Sequence, residues 1–283
     1  MRINGQTRIV AVLGHPVAHT ASPAMHNAAF DALGMNWRYL AFDVPPNLLG
    51  PALCGLAAVG VVGVNLTVPH KIMAMCLLDP CDRSARMVEA ANTISFHRLR
   101  KRLMLRGYNT DGHGLLTALH EEFAFRPRGK TVAILGCGGA GRSAAIQLAL
   151  SGAKKLILLN RTRSKAAAVA RRIRGLDLKT DCVFTPQPCD LAIQATSLGL
   201  RSSDPSPITP SDWKRLSPRL FFDMVYRPAE TRCMRMAKNS GCKTANGLGM
   251  LLHQGVRAFE IWTGRRAPIG VMRRALRREI YGK

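Results

Sequence analysis

Residues 131 to 152 read TVAILGCGGAGRSAAIQLALSG: a short, mostly apolar run, a cluster of glycines, then a stretch of small and apolar residues. Few local patterns restrict a fold as tightly. The apolar run is a buried strand, the glycines turn the chain back sharply, and the following segment is a helix that packs on the strand, so a layered α/β unit is required. The hexapeptide GCGGAG, Gly136 to Gly141, satisfies GxGxxG with a strand before it and a helix after it. In that setting the N–H groups of the helix start face a pyrophosphate. A tight turn with no ligand is the other reading of the same residues.

The end of the next strand, LILLN, decides which dinucleotide such a turn would hold. An NAD site places Asp or Glu there, about 20 residues beyond the glycines, to accept the ribose hydroxyls. This chain has Asn160 and Arg161, followed by Thr162, Arg163, Ser164 and Lys165. A carboxylate would repel a 2′-phosphate, whereas arginine offers it a planar, permanently charged fork. Arg161 with Lys165, joined by Arg163 unless that side chain faces away, therefore points to NADP.

The first third also alternates strand-like and helix-like segments. RIVAVLG reads as a strand, and a helix follows with Ser22 as its N-cap, Pro23 at its first position and Gly34 at its stop. YLAFDV, a helix over 47–59 and GVNLTV come next, then NTISFHRLRKRLMLRGYNT as two strands joined by a basic turn. A helix over 113–123 precedes the glycine turn, and strands are expected at DLAIQA and LFFDMVY. NGLGMLLHQGVRAFEIW is a long amphipathic helix with a second, basic one after it.

Polar residues stand where core strands would place apolar ones. Asn65 and Thr67 are two apart in GVNLTVPHK and share one strand face, with Lys71 just beyond Pro69. A lysine at the edge of a cleft can exchange a proton with a substrate oxygen, although a lone lysine is more often a surface residue. Asn109, Thr110 and Asp111 in GYNTDG form either a turn with a helix cap or part of a site. Thr20 and Ser22 in HTASP offer hydroxyls at a helix start, suited to a carboxylate, with ordinary capping by Ser22 expected in any case. The histidines at 15, 19, 26, 70 and 253 lack metal-ligand spacing, and no metal is expected.

A chain of 283 residues with 47% hydrophobic content can bury the core of one large domain or of two ordinary ones. Its 41 Lys and Arg against 17 Asp and Glu give a formal charge of +24, which draws polyanions and small anions alike. The basic residues are spread from Arg2 to Lys283 without a basic tail, the pattern of solvated faces, so nucleic acid is not the expected partner. Eight cysteines show no CxxC spacing and read as reduced thiols. No signal-like segment and no run near the ~20 apolar residues of a membrane span occurs, so a cytoplasmic location is expected.

In order along the chain, GHPVAHTASPAMHNAAF, VNLTVPHK, ANTI, GYNTDG, GCGGAG, NRTRSK, ATSLGL, DMVYRP and NGLGMLLHQGVRAFEIWTG resemble the shikimate dehydrogenase family over nearly the whole sequence. The resemblance implies an α/β fold of two domains. An α/β substrate-binding and catalytic domain would span residues 1–112, a Rossmann-type doubly wound NADP domain 113–246, and C-terminal helices, 247–283, would pack back on the first. It further implies reversible reduction of 3-dehydroshikimate by NADPH to shikimate, in aromatic amino acid biosynthesis. Position by position, Thr20, Ser22 and Tyr226 would meet the substrate carboxylate, and Thr67, Lys71, Asn92, Asp111 and Gln254 its ring hydroxyls. Gly136, Cys137, Gly138, Gly139 and Ala140 would bind the cofactor diphosphate. Asn160 to Lys165 would meet its adenosine 2′-phosphate end, and Met224 and Gly247 would lie beside the nicotinamide. Lys71 would exchange the proton at the reacting oxygen, with Asp111 orienting it.

The sequence departs from the family pattern in places. Thr20 stands where a serine is usual, keeping the hydroxyl and adding a methyl group that could shift preference among related acids. Gln194 replaces a frequent asparagine, and Arg83 a commonly acidic residue, so no role is carried to it. Two other readings stay open: a quinate/shikimate dehydrogenase paralogue with another cofactor or hydroxy acid, of which Asn160 and Arg161 argue against the NAD version, and a non-catalytic ligand sensor or polyanion-binding protein on the same fold, which Lys71 and Asp111 argue against. A homodimer is one open oligomeric state.

Overall fold

Two sheets organise the chain. The computed structural model describes residues 3–99, 102–201 and 203–282. The chain divides into two units, Met1–Gly114 with Leu252–Lys283, and Leu115–Leu251. In chain order the first elements are β1 (Arg8–Gly14), α1 (Ser22–Ala32), β2 (Trp37–Asp43), α2 (Leu49–Ala58), β3 (Gly63–Leu66), α3 (His70–Met73), α4 (Arg83–Val88), β4 (Thr93–Leu99), β5 (Arg102–Tyr108) and α5 (Asp111–Phe123). There follow β6 (Thr131–Leu135), α6 (Gly139–Leu150), β7 (Lys155–Leu159), α7 (Arg163–Gly175), β8 (Asp181–Val183), β9 (Leu191–Gln194), α8 (Pro210–Leu216), β10 (Leu220–Asp223), α9 (Arg232–Asn239), β11 (Lys243–Asn246), α10 (Leu248–Thr263) and α11 (Ile269–Tyr281).

The first unit holds a sheet of order β2-β1-β3-β4-β5. Strand β1 pairs parallel with β2 and β3, while β4 pairs antiparallel with β3 and β5. The register sets Leu13 beside Leu66, Asn65 beside Thr93 and Thr93 beside Tyr108. One edge of the sheet thereby gathers the loops that follow β1, β3 and β5 and the segment leading into β4. Ala11, Leu13, Leu53, Val64, Leu66 and Ile94 form a buried core. The C-terminal helices belong to the same unit, because Leu252, Val256, Phe259 and Trp262 recur at helical spacing and are buried. Trp262 Nε1 donates to Ile94 O at 2.9 Å, and α11 packs along α1.

The second unit is a six-stranded sheet of order β11-β10-β9-β6-β7-β8, parallel throughout. Counted from β6 as the first strand, this is the doubly wound order 3-2-1-4-5-6, whose switch point lies between β6 and β9. Strand β9 is buried along its whole length and β6 along all but its first residue, as expected where helices cover both faces. Ala133, Ile157, Ala192, Trp213, Phe221 and Cys233 share one core.

Several local expectations change. Helix α1 begins at Ser22 itself, so Ala21 occupies the capping position and no side chain caps the helix. The GVNLTV strand stops at Leu66, which leaves Thr67 in the following turn rather than on the strand face of Asn65. Helix α5 starts at Asp111, two residues earlier than expected. Strands β8 and β11 have no strong sequence signal, since they are three and four residues long and take their extended shape from pairing with β7 and β10. The basic turn expected between β4 and β5 falls on Arg100 and Lys101, which lie outside the described residues. Among the described residues no helix is long and apolar enough to cross a membrane.

Candidate active site

In the first unit the gathered sheet edge carries a connected set of polar side chains. Asn92 precedes β4 and is 2% exposed; its Nδ2 donates to Asp111 Oδ1 at 2.8 Å and to Thr110 Oγ1 at 2.9 Å. Lys71 Nζ donates to the other carboxylate oxygen, Oδ2, at 2.6 Å. Both oxygens of Asp111 are thus engaged, which fixes the plane of the carboxylate. Asp111 is also the first residue of α5, where the helix dipole favours negative charge. The carboxylate is the buried partner, its side chain 11% exposed against 32% for Lys71. The ammonium therefore reaches solvent with donors to spare, anchored at one side by a fixed acceptor.

Gln254 on α10 joins the set at 3.4 Å from Asn92 Nδ2, the weakest of three contacts to a nitrogen with only two hydrogens. Behind it, Asn65 Nδ2 donates to Asn92 O and Thr93 Oγ1, each at 3.0 Å, and Tyr39 donates its hydroxyl to Asn65 Oδ1 at 2.7 Å. Thr20 Oγ1 lies 3.4 Å from Ser22 N, and Thr67 N donates to Leu13 O, so the turns after β1 and β3 meet at the same edge. Asn109 closes the β5–α5 junction by donating from Nδ2 to Ala90 O at 2.9 Å. Lys71, Asn92, Asp111 and Gln254, remote from one another in sequence, are thereby in direct or shared contact. Tyr226, assigned to the same substrate, lies half-buried in the second unit.

In the second unit the glycine turn has little room for side chains. Gly136 adopts φ +102°, and a Cβ on Gly141 would lie 1.8 Å from Gly136 O, so the helix can start against the strand only with glycine there. Gly138 and Gly139 instead face open space, and no side chain caps α6. The uncapped N–H groups of that helix suit an anion. Asn160 accepts from Cys137 N at 2.8 Å and donates to Thr162 O at 2.8 Å, so it ties the turn to the end of β7. Burial pushes the Cys137 thiol up to about 11, which keeps it protonated and inert.

Arg161, Thr162, Arg163, Ser164 and Lys165 are all exposed. Arg163 to Lys165 form the first turn of α7, which has neither a side-chain cap nor an acidic residue. Cations at a helix N-terminus oppose the dipole and are unfavourable unless an anion joins them. Such a turn fits a 2′-phosphate, and together with the glycine cradle it fits a dinucleotide. At the ends of β10 and β11, a Cβ on Gly247 would lie 2.1 Å from Met224 O, so these two residues are held in close backbone contact.

Two buried polar residues outside the assigned set shape the same region of the second unit. Gln194 is fully buried and spans the loop that follows β9, donating to Leu198 O at 2.6 Å and accepting from Thr196 N. Asp223, at the end of β10, accepts from Val225 N at 3.0 Å and Thr231 Oγ1 at 2.6 Å. Burial outweighs both bonds and raises its carboxyl from 3.8 to about 6. The folded state then holds the proton more tightly than the unfolded one, so stability from this group is present below pH 4 and is lost as pH rises through 6. Relative to Asp223→Asn, wild type is expected to lose about 3 kcal/mol between pH 4 and 7. Urea titrations of both proteins across that range measure it, and parallel curves would exclude the burial cost.

Comparison with known proteins places this geometry. Residues 12–94 match the family model for the shikimate dehydrogenase substrate binding domain, residues 119–228 that for shikimate / quinate 5-dehydrogenase, and residues 247–277 that for the shikimate 5'-dehydrogenase C-terminal domain. The chain is 43% identical to a shikimate dehydrogenase (NADP(+)) of Desulforamulus reducens, over 99% of this chain and 98% of that one. It superposes with a TM-score of 0.84 on the shikimate 5-dehydrogenase of Thermus thermophilus in complex with NADP(H) and shikimate, at 36% identity, covering 96% of this chain and 99% of that one. Against another shikimate dehydrogenase in complex with NADP+, the TM-score is 0.86 at 37% identity, covering 99% and 98%. The chain belongs to the shikimate dehydrogenase (NADP+) family.

Proposed function

We propose that the protein catalyses the reversible, NADP-linked interconversion of 3-dehydroshikimate and shikimate in aromatic amino acid biosynthesis, with residues 1–112 as the substrate domain, 113–246 as the dinucleotide domain and 247–283 as helices completing the first. The observation that carries the reading is the Lys71–Asp111 pair at 2.6 Å, its carboxylate clasped from the other side by Asn92. When bound, the nicotinamide supplies or accepts the hydride. Lys71 donates a proton to the ketone oxygen in the reducing direction and recovers it in the reverse. Asp111 holds the ammonium at that oxygen, and Asn92 holds Asp111. Thr67 and Gln254 are assigned to the remaining ring hydroxyls, and Thr20, Ser22 and Tyr226 to the carboxylate. Met224 and Gly247 are assigned to the nicotinamide side.

The uncapped start of α6, residues 136–140, takes the diphosphate, and Arg161 with Lys165 takes the 2′-phosphate, with Asn160 serving chiefly to brace the turn. A reduced, unbridged state of all eight cysteines supports a cytoplasmic location. The test is the rate of NADP+ and of NAD+ reduction with shikimate and with quinate, for wild type and Arg161→Ala. Wild type is expected to use NADP+ with shikimate. Arg161→Ala is expected to weaken NADP+ about 10- to 100-fold, the worth of charge-assisted hydrogen bonds, and to leave NAD+ unchanged. Absence of turnover with every pair would sink the enzyme reading, and a wild-type preference for NAD+ would sink the role of Arg161.

A further inference from the structure

We propose that Asp223 and Thr231 form a clasp that sets the loop between β10 and α9, so that Asp223, itself buried, acts as a positioning residue for hydride transfer. The proposal rests on the assignments made above of Met224 to the nicotinamide side and Tyr226 to the substrate carboxylate. Both residues belong to that one loop, residues 224–230, MVYRPAE.

The loop leaves the sheet at the carboxyl ends of its parallel strands, the side on which this topology binds dinucleotides. Asp223 is the last residue of β10 and 0% exposed, and Thr231, 2% exposed, is the N-cap of α9. Between them the chain runs outward, since Arg227, Pro228 and Ala229 are exposed, and then returns. Thr231 Oγ1 donates to Asp223 Oδ2 at 2.6 Å, which closes the loop at its base, while Asp223 Oδ1 accepts from Val225 N at 3.0 Å and fixes the first turn. Met224 sits inside that turn, with its N–H on Gln194 O at 2.9 Å and its carbonyl against Gly247. Farther out, Asn246 Nδ2 donates to Ala229 O at 2.8 Å.

Counting protons shows why a carboxylate is needed. Thr231 Oγ1 accepts from Met234 N at 3.1 Å as the cap of α9, so its single proton is the one that goes to Asp223. Both carboxylate oxygens therefore accept, each from a different end of the loop, and the short bond to Thr231 is charge-assisted. A neutral amide has only one acceptor oxygen, so one of the two donors would face amide hydrogens and that end of the loop would come free. On the other side of Thr231, Gly199 has φ +104°, and a Cβ there would lie 3.1 Å from the threonine methyl group. The glycine leaves the threonine room to keep its hydroxyl on Asp223.

Asp223→Asn preserves the shape of the side chain and leaves Thr231 to cap α9, so it frees the loop without removing the helix start. Two quantities are compared with wild type: kcat/KM for NADP+ at saturating shikimate, and the calorimetric Kd of 2′-phosphoadenosine 5′-diphosphoribose, which keeps the cofactor phosphates and lacks the nicotinamide. In Asp223→Asn, kcat/KM should fall about 10- to 100-fold, the worth of a charge-assisted hydrogen bond, while the fragment Kd stays within about twofold. Thr231→Ser keeps the hydroxyl and should stay within about threefold of wild type, whereas Thr231→Val should lose at least as much as Asp223→Asn. The double variant should be no worse than Thr231→Val alone, because the two residues act through one bond. A fall of less than about threefold in Asp223→Asn overturns the proposal, as does full additivity in the double variant. An equal loss in fragment binding also overturns it, since that marks a merely structural contribution. A wild type that turns over no substrate overturns the function reading and this clasp together, whereas an active wild type matched by Asp223→Asn overturns the clasp alone.

Discussion

Lys71→Ala is expected to lower kcat for shikimate oxidation by about 10² to 10⁴, the range for loss of a positioned general acid–base group, with a much smaller change in KM. The reason is the asymmetry of the pair. Asp111 is clamped by Asn92 on one oxygen and by the ammonium on the other, so removing the lysine leaves the carboxylate held by Asn92 but takes away the proposed proton donor. The residues assigned to the substrate carboxylate and the other ring hydroxyls are unchanged in this variant, which is why the loss is expected on the chemical step. NADP+ binding, measured by calorimetry on the same variant, should match wild type, because the cofactor residues assigned above all belong to the second unit. Turnover within about threefold of wild type would remove Lys71 from the mechanism.

Acid should weaken the first unit through His26. That ring is fully buried, without a hydrogen-bond partner on either nitrogen among the described residues, and burial lowers it from 6.5 to about 3. The unfolded chain therefore binds a proton that the folded one refuses. Stability from this group is complete above pH 6.5 and is lost as pH falls toward 3, at about 1.4 kcal/mol per pH unit and approaching about 5 kcal/mol in all. His26→Phe preserves a ring against Tyr39 and cannot take the proton, so denaturant titrations from pH 8 to 4 should show the slope in wild type and its loss in the variant. The same slope in both proteins would mean that another group carries the acid sensitivity. His26 and Asp223 lie in different units and act with opposite sign, so falling pH destabilises the first unit while it relieves a cost in the second. A probe confined to each unit should separate the two transitions.

The layered α/β unit around the glycine turn was legible because its signals are local, whereas its doubly wound order was implied only by the family resemblance. The strand-glycine-helix run needs only neighbouring residues, and Gly141 against Gly136 O shows why nothing larger fits. The absence of a carboxylate at Asn160 and Arg161 is likewise visible along the chain. The short strands β8 and β11 were not, because their conformation comes from their neighbours rather than from periodicity. Lys71 and Asp111 stood out as polar residues at strand ends, but their roles came from the family resemblance; spacing alone could not bring residues forty apart to 2.6 Å.

Sequence by itself thus determined the layered α/β class, the glycine turn and the basic turn beside it, all read over spans of a few to about 20 residues, within which backbone sterics and charge act directly. Tertiary structure alone decided that Ser22 begins α1 rather than capping it, that Asn160 braces the glycine turn, and that His26 and Asp223 sit in surroundings that shift their protons. Those outcomes depend on hydrogen-bond partners and desolvation supplied by segments remote in the chain, and only the packed fold brings them to hydrogen-bond distance.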